Sequence, residues 1–415
     1  MANKMKICFW IGNAYYRKGG TSKIVSTIAN ELAKQHEVSL LITNIPNKKA
    51  SFIYNESITI IKFNAAKVVY EQEKNSPSSL INSSIRVYNN KTGFFNTPQR
   101  CEIMKNAYYP SDHLNTFIDF FSNKSYDAII ATGQEILWLA ILSEKLNPTV
   151  KTIGWQHNSY SAYTNRKGFM FWNKEELLKK YIPNLHNLVV LNAYDEEAYI
   201  TNLGIKPLCI NNALTLKSDI KADASKKQFF MAGRFTKQKG IFLLIEAFRL
   251  FCQHNQEWTL VIAGTGKLRK KIIEKIWEYK IQDRVHLVGF TKNMQKYYLD
   301  SSIYLMTSRY EGWGLVVTEA FEMGLPVIAF DITPMDLIID TGENGVIVPK
   351  YNVKKYAAAM LKLANDDSMR KRMSESAITK AKHYELDKIV DEWNALLRAR
   401  TNSKIAKKKK KKNEK

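Results

Sequence analysis

Short apolar runs recur down this chain, each followed by a Gly- or Pro-bearing turn and then a stretch of helical periodicity. In the second half the runs are Phe229–Ala232, Leu260–Ala263, His286–Val288, Ile303–Met306, Val327–Ala329 and Val346–Val348. The first half carries Met5–Ile11, Val38–Thr43, Ile58–Phe63, Ala128–Thr132, Thr152–Trp155 and Leu188–Asn192. Parallel strands need a crossover between them, usually a helix, so this rhythm predicts an α/β protein with parallel sheets. With 415 residues the chain exceeds one ordinary core, and two Rossmann-like domains facing a cleft are expected. Pro207 and the pair Asn211-Asn212 interrupt the patterns, so the division falls there, with domains over 1–207 and 208–384. No internal repeat of 20–50 residues is visible. Between Lys67 and Arg100 a polar Asn- and Ser-rich stretch reads as an insertion or mobile loop system.

Apolar residues make up 45% of the chain, yet no run reaches the length of a membrane-spanning helix. Met1 to Gly12 leads straight into a strand pattern with no cleavage site, which argues against a signal peptide and for a cytoplasmic protein. Cys8, Cys101, Cys209 and Cys252 are scattered, so reduced thiols are expected and neither a metal nor a disulfide. The net charge of +23, from 62 basic and 39 acidic residues, favours polyanionic partners. Part of it lies in a terminal tail over 403–415 that includes six consecutive lysines, Lys407 to Lys412. That tail reads as disordered and either solvated, nucleic-acid-binding or an electrostatic anchor to an anionic membrane surface.

The chemistry-bearing residues sit where the predicted strands end. Ser308 to Ala320 follows the run Ile303–Met306 and carries Glu311 and Glu319, with seven residues between them that include Gly312 and Gly314. Ionised carboxylates only accept hydrogen bonds, so such a pair suits a ligand rich in hydroxyls, a sugar or a ribose. Gly314 and Leu315 open a predicted helix whose N–H groups can meet phosphate. Gly233-Arg234-Phe235-Thr236-Lys237-Gln238-Lys239-Gly240 follows the first strand of the second half. Arg234 offers a bidentate fork and Lys239 a point charge, which together fit a diphosphate; a plain basic surface loop is the alternative. Gly264-Thr265-Gly266-Lys267-Leu268 lacks the spacing of a P-loop, and Leu268 stands where Ser or Thr would hold magnesium. The N-terminal loop from Gly12 to Thr21 lacks a dinucleotide fingerprint and brings Gly19 and Gly20 to a helix start, where a plain αL turn is the alternative. Trp155-Gln156-His157-Asn158 ends another predicted strand, and His157 reads either as a ligand contact or as a satisfied structural histidine.

Taken together, these segments resemble the retaining glycosyltransferases of family 4, which have the GT-B fold. The resemblance is specific from about Phe229 to Pro349 and weak over the first domain, apart from the glycine loop and His157. It implies that Arg234 and Lys239 clamp the donor pyrophosphate, that Glu319 binds the ribose, and that Glu311 and His157 lie at the donor sugar. It also implies that Gly19, Gly20, Gly264, Gly314 and Leu315 approach the nucleotide and its phosphates. By the same resemblance the first domain binds the acceptor, the second binds the nucleotide-sugar, and a helix within 385–402 crosses back to the first. One departure is Thr333 before Pro334, where the family has glycine, with the shorter acid Asp336 following.

The reading is a retaining hexosyltransferase that moves a sugar from a nucleoside-diphosphate donor, in particular a UDP-sugar, to a hydroxyl of a lipid-linked or surface polysaccharide such as lipopolysaccharide or capsule. It would act at the inner face of a membrane. No cofactor and no metal are expected, the nucleotide-sugar being a substrate. A nucleotide-sugar epimerase or an α-glucan synthase or phosphorylase with the same fold is the alternative. Nucleic acid is not an expected partner, because paired acids at the strand ends would repel a phosphate backbone.

Overall fold

The computed structural model describes residues 4–12, 14–43, 49–63, 77–167 and 169–399, and the polybasic tail lies outside these residues. The chain divides into two units, one formed by residues to Asn211 together with those from Ile389 onward, the other by Asn212–Lys388.

In the first unit, β1 (Lys6–Trp10), β2 (Glu37–Ile42), β3 (Thr59–Lys62), β4 (Ala128–Thr132), β5 (Lys151–Trp155), β6 (Asn187–Val190) and β7 (Leu208–Cys209) form one sheet. Its order is β3-β2-β1-β4-β5-β6-β7, and every pairing is parallel. The second unit holds β8 (Gln228–Ala232), β9 (Thr259–Ala263), β10 (Val285–Gly289), β11 (Ile303–Met306), β12 (Val327–Phe330) and β13 (Gly345–Val348). These are also parallel, in the order β10-β9-β8-β11-β12-β13. Each unit is therefore a Rossmann-like α/β layer structure. Central strands such as β4 and β11 are buried along their whole length, which is why they read as continuous apolar runs rather than alternating ones.

All twelve predicted runs become strands, within a residue or two of their ends. The short β7 was not foreseen. Leu208 and Cys209 pair with Val189 and Val190, so they belong to the first sheet and a boundary at 207 falls too early. The polar stretch between Lys67 and Arg100 also differs from expectation. Residues 64–76 lie outside the described residues, but Pro77–Thr92 is a helix and Pro98–Arg100 a 3-10 turn. Asn and Ser are weak helix formers, so tertiary bonds decide this element. The buried Asn89 donates to Asn173 O at 2.8 Å and accepts from Phe95 N at 2.9 Å, while Asn173 donates back to Asn89 O at 2.8 Å.

The chain rejoins the first unit within the helix Leu386–Arg398. That helix docks through Trp393, whose ring meets Trp155 at 4.7 Å, and through Asn394, 2.9 Å from His36 Nε2. At its end the buried Lys151 ammonium donates to the carbonyls of Leu396 and Leu397 at 2.9 and 2.8 Å, a cation placed on the negative end of the helix dipole.

Candidate active site

In sheets of this order, ligands bind beyond the carboxyl ends of the strands where the strand order reverses. In the second sheet that point lies between β8 and β11, and the loops leaving these two strands carry Arg234, Lys239 and Glu311.

The two loops are zipped together by backbone and side-chain bonds. Arg309 N donates to Gln238 O at 2.7 Å, Gln238 Nε2 to Tyr310 O at 3.1 Å, and Thr307 Oγ1 to Lys239 O at 3.1 Å. The turn after β9 closes the site from the other side. Gly264 has φ +145°, and a Cβ there would lie 1.9 Å from Gly233 O, so only glycine lets these two turns touch. Within this frame Lys239 Nζ lies 2.6 Å from Glu311 Oε1, with side-chain exposures of 15% and 10%. The two residues assigned to diphosphate and sugar thus form a largely buried ion pair with each other. Arg234 is exposed, with no hydrogen bond or ion pair from its side chain among the described residues.

Gly314 caps the helix Leu315–Glu322 without a side-chain bond, leaving its first N–H groups to a ligand or water. Glu319 lies inside that helix and is 3% exposed. Thr215 Oγ1 donates to one of its oxygens at 2.6 Å and Tyr298 Oη to the other at 3.0 Å. Burial and the neighbouring Glu319 push the Tyr298 phenol well above its ordinary pKa, so it remains a donor. Any ribose contact must use the lone pairs these two donors leave. Thr215 and Tyr298 were not foreseen, because only the fold brings them to Glu319.

The first sheet has its own reversal point, between β1 and β4. Gly19 and Gly20 begin the helix Gly20–Leu32, with Gly19 extended at φ 178° rather than in the αL region and no side chain capping the helix. His157 follows β5 with its ring 4.3 Å from that of Trp155. Both ring nitrogens are shielded from solvent and without a hydrogen-bond partner among the described residues, and burial lowers the pKa to about 3.

Glu135, beside the reversal point and just after β4, was missed. It is 5% exposed, and burial raises its pKa to about 7. It packs on the turn after β1, where a Cβ on Gly12 (φ +51°) would lie 2.0 Å from Glu135 Oε1. The Gly133-Gln134-Glu135 turn that follows an apolar run was its only signal in the sequence. Gly19, Gly20 and His157 belong to the first unit, and all the other predicted residues to the second. Among the described residues no group of three His, Cys, Asp or Glu side chains could hold a metal ion.

Residues 214–380, within the second unit, match the model of the family described as Glycosyl transferases group 1. Over nearly its full length the chain resembles an uncharacterized glycosyltransferase of Haemophilus influenzae, 26% identical over 94% of this chain and 99% of that protein. It also resembles the amylovoran biosynthesis glycosyltransferase AmsD of Erwinia amylovora, 24% identical over 91% of this chain and 96% of that one. A solved structure of S. aureus TarM superposes with a TM-score of 0.72 at 17% identity, covering 95% of this chain and all of that one. The architecture is that of the GT-B glycosyltransferases, and the family-model match falls on the unit that holds Arg234, Lys239, Glu311 and Glu319.

Proposed function

We propose that the protein is a retaining, metal-independent hexosyltransferase of family 4 that uses a nucleoside-diphosphate sugar, a UDP-sugar in particular. The acceptor is a hydroxyl of a lipid-linked or surface polysaccharide. The observation that carries this reading is the buried Lys239–Glu311 pair beside the exposed Arg234 at the reversal point of the second sheet. Arg234 captures the diphosphate, and Lys239 turns from Glu311 toward it as the sugar bond breaks. These two cations and the helix start at Gly314-Leu315 then stabilise the departing charge, so no metal is needed. Freed from its counter-ion, Glu311 accepts hydrogen bonds from sugar hydroxyls, while Glu319 holds the ribose.

The neutral His157 adds donor and acceptor capacity toward the sugar, and the first unit holds the acceptor. Leaving-phosphate assistance to the attacking hydroxyl accounts for retention without a covalent enzyme intermediate. Support for the donor comes from neighbours solved with UDP, among them TarM and Anabaena HepE. Support for the acceptor comes from AmsD and from a Staphylococcus aureus poly(ribitol-phosphate) alpha-N-acetylglucosaminyltransferase, 30% identical over 215 residues.

UDP release should require an added acceptor. Interconversion of the nucleotide-sugar itself would instead identify an epimerase of the same fold, sugar exchange between a glucan and phosphate with no UDP formed a phosphorylase, and UDP release only with an α-glucan acceptor a synthase. Among the described residues no helix is long and apolar enough to cross a membrane. We assign membrane contact to the lysine run 407–412, so deleting 404–415 should abolish salt-sensitive flotation with anionic vesicles.

A further inference from the structure

A cavity of about 540 Å³ lies wholly within the first unit, apart from the residues assigned to the donor. That volume is within the roughly 300–1,000 Å³ of small-molecule sites. Its inner wall is aromatic, with Trp138 and Tyr109 in an edge-to-face pair at 4.8 Å and Tyr108 and Phe169 alongside. Gln134, from the turn after β4, opens it toward the carboxyl edge of the first sheet. Three lysines line it, Lys91, Lys167 and Lys174, and no carboxylate does.

Lys174 is the informative one. Its ammonium donates to Met170 O at 2.9 Å and sits 4.3 Å from the centre of the Tyr108 ring, with no acidic partner among the described residues. Burial lowers its pKa to about 8. Holding an ammonium in a partly buried aromatic setting without a counter-ion is costly, and an anionic ligand would offset that cost. The walls are fixed rather than loose. Trp172 Nε1 donates to Asn90 O at 3.0 Å and Tyr108 Oη to Asn90 Oδ1 at 2.7 Å, beside the paired Asn89–Asn173 bonds that anchor the helix Pro77–Thr92.

We propose that this cavity is an acceptor subsite that recognises a phosphate group on the acceptor, with the aromatic wall covering the ring or carbon chain attached to it. The chemistry follows from the lining: ammonium groups are point charges suited to phosphate, and aromatic faces suit the C–H surfaces of a sugar or polyol. This rests on the reading of the protein as a glycosyltransferase with the acceptor in its first unit. The phosphate could belong to a polyol-phosphate backbone or to the pyrophosphate of a lipid-linked glycan, and the probes separate these sources.

The test uses the full chain and four probes: a glycerol-phosphate hexamer, a polyprenyl-pyrophosphoryl sugar in neutral vesicles, phosphate-free maltohexaose, and UDP. Lys91 and Lys167 are exposed, so Lys91→Glu/Lys167→Glu is expected to fold. Losing an ammonium–phosphate contact costs roughly tenfold in affinity. The double variant should therefore weaken the phosphate probe that wild type binds by tenfold or more. Maltohexaose and UDP should stay within twofold. Lys174→Met should weaken the same probe without charge reversal at the rim. Unchanged affinity for the phosphate probes, or an equal loss for maltohexaose, overturns the proposal. So does failure of wild type to bind either phosphate probe while it binds maltohexaose. Failure of wild type to bind UDP counts against the glycosyltransferase reading instead, and is scored separately.

Discussion

Replacing Lys239 with methionine probes the centre of the site. The sequence alone leads one to expect an intact fold and a lost diphosphate contact. The structure adds a stability cost, because Glu311 is 8% exposed and its carboxylate would remain buried without its counter-ion. Removing one partner of a buried pair costs about 3–5 kcal/mol. For a unit of this size that lowers the melting temperature by roughly 6–20 °C. Glu311→Gln should cost less, since the long lysine stem can carry its ammonium toward solvent. The double variant Lys239→Met/Glu311→Gln removes both charges and should recover about 2 kcal/mol or more relative to the sum of the single changes. Turnover behaves differently: Lys239→Met should lose roughly 100-fold or more, and the double variant should not regain it, because the charge offered to the leaving diphosphate is gone. Denaturant unfolding and steady-state UDP release measure the two effects. If the single stabilities add to the double within about 0.5 kcal/mol, the pair is not coupled and the desolvation reasoning is wrong. If the double variant turns over like wild type, Lys239 serves only to neutralise Glu311.

Arg234→Ala should leave unfolding within about 0.5 kcal/mol of wild type, the side chain being exposed and unpaired, yet lower turnover about 100-fold; unaltered turnover refutes the anion-capture role. Glu319→Ala removes the 3.0 Å acceptor of the buried Tyr298 hydroxyl and leaves it Val316 O at 3.4 Å, so it should cost about 1 kcal/mol in unfolding and raise the Kd for UDP; an unchanged Kd removes the ribose contact. Glu135 has its folded pKa raised from 4.5 to about 7, so its effect on stability is most favourable below pH 4.5 and is lost as the pH rises through 7. Glu135→Gln should therefore match wild type near pH 4.5 and exceed it by on the order of 3 kcal/mol above pH 7, and a pH-independent difference in unfolding free energy would contradict the burial.

The twelve predicted strands and the loops that carry Arg234, Lys239 and Glu311 were legible in the chain because each is a local pattern. Buried parallel strands are short apolar runs, and the turns that leave them announce themselves with glycine. The same locality explains the readings that failed. The helix Pro77–Thr92 has poor intrinsic propensity and is held by bonds from Asn89 to Asn173, 84 residues away. β7 is two residues long, too short for any periodicity, and exists because β6 offers it a free edge. The roles of the charged groups depend still more on tertiary structure. Lys239 meets Glu311 across 72 residues because β8 and β11 are neighbours in the sheet, and Glu319 meets Thr215 across 104. Glu135 titrates near neutrality only because the fold lays it on Gly12 and shuts out water. The sequence by itself determined which side chains stand at the strand ends and what ligands their chemistry could take. Strand order and burial decided which of those charges are already spent on one another and which are open to a substrate, since Coulomb attraction and desolvation depend on distance in space and not along the chain.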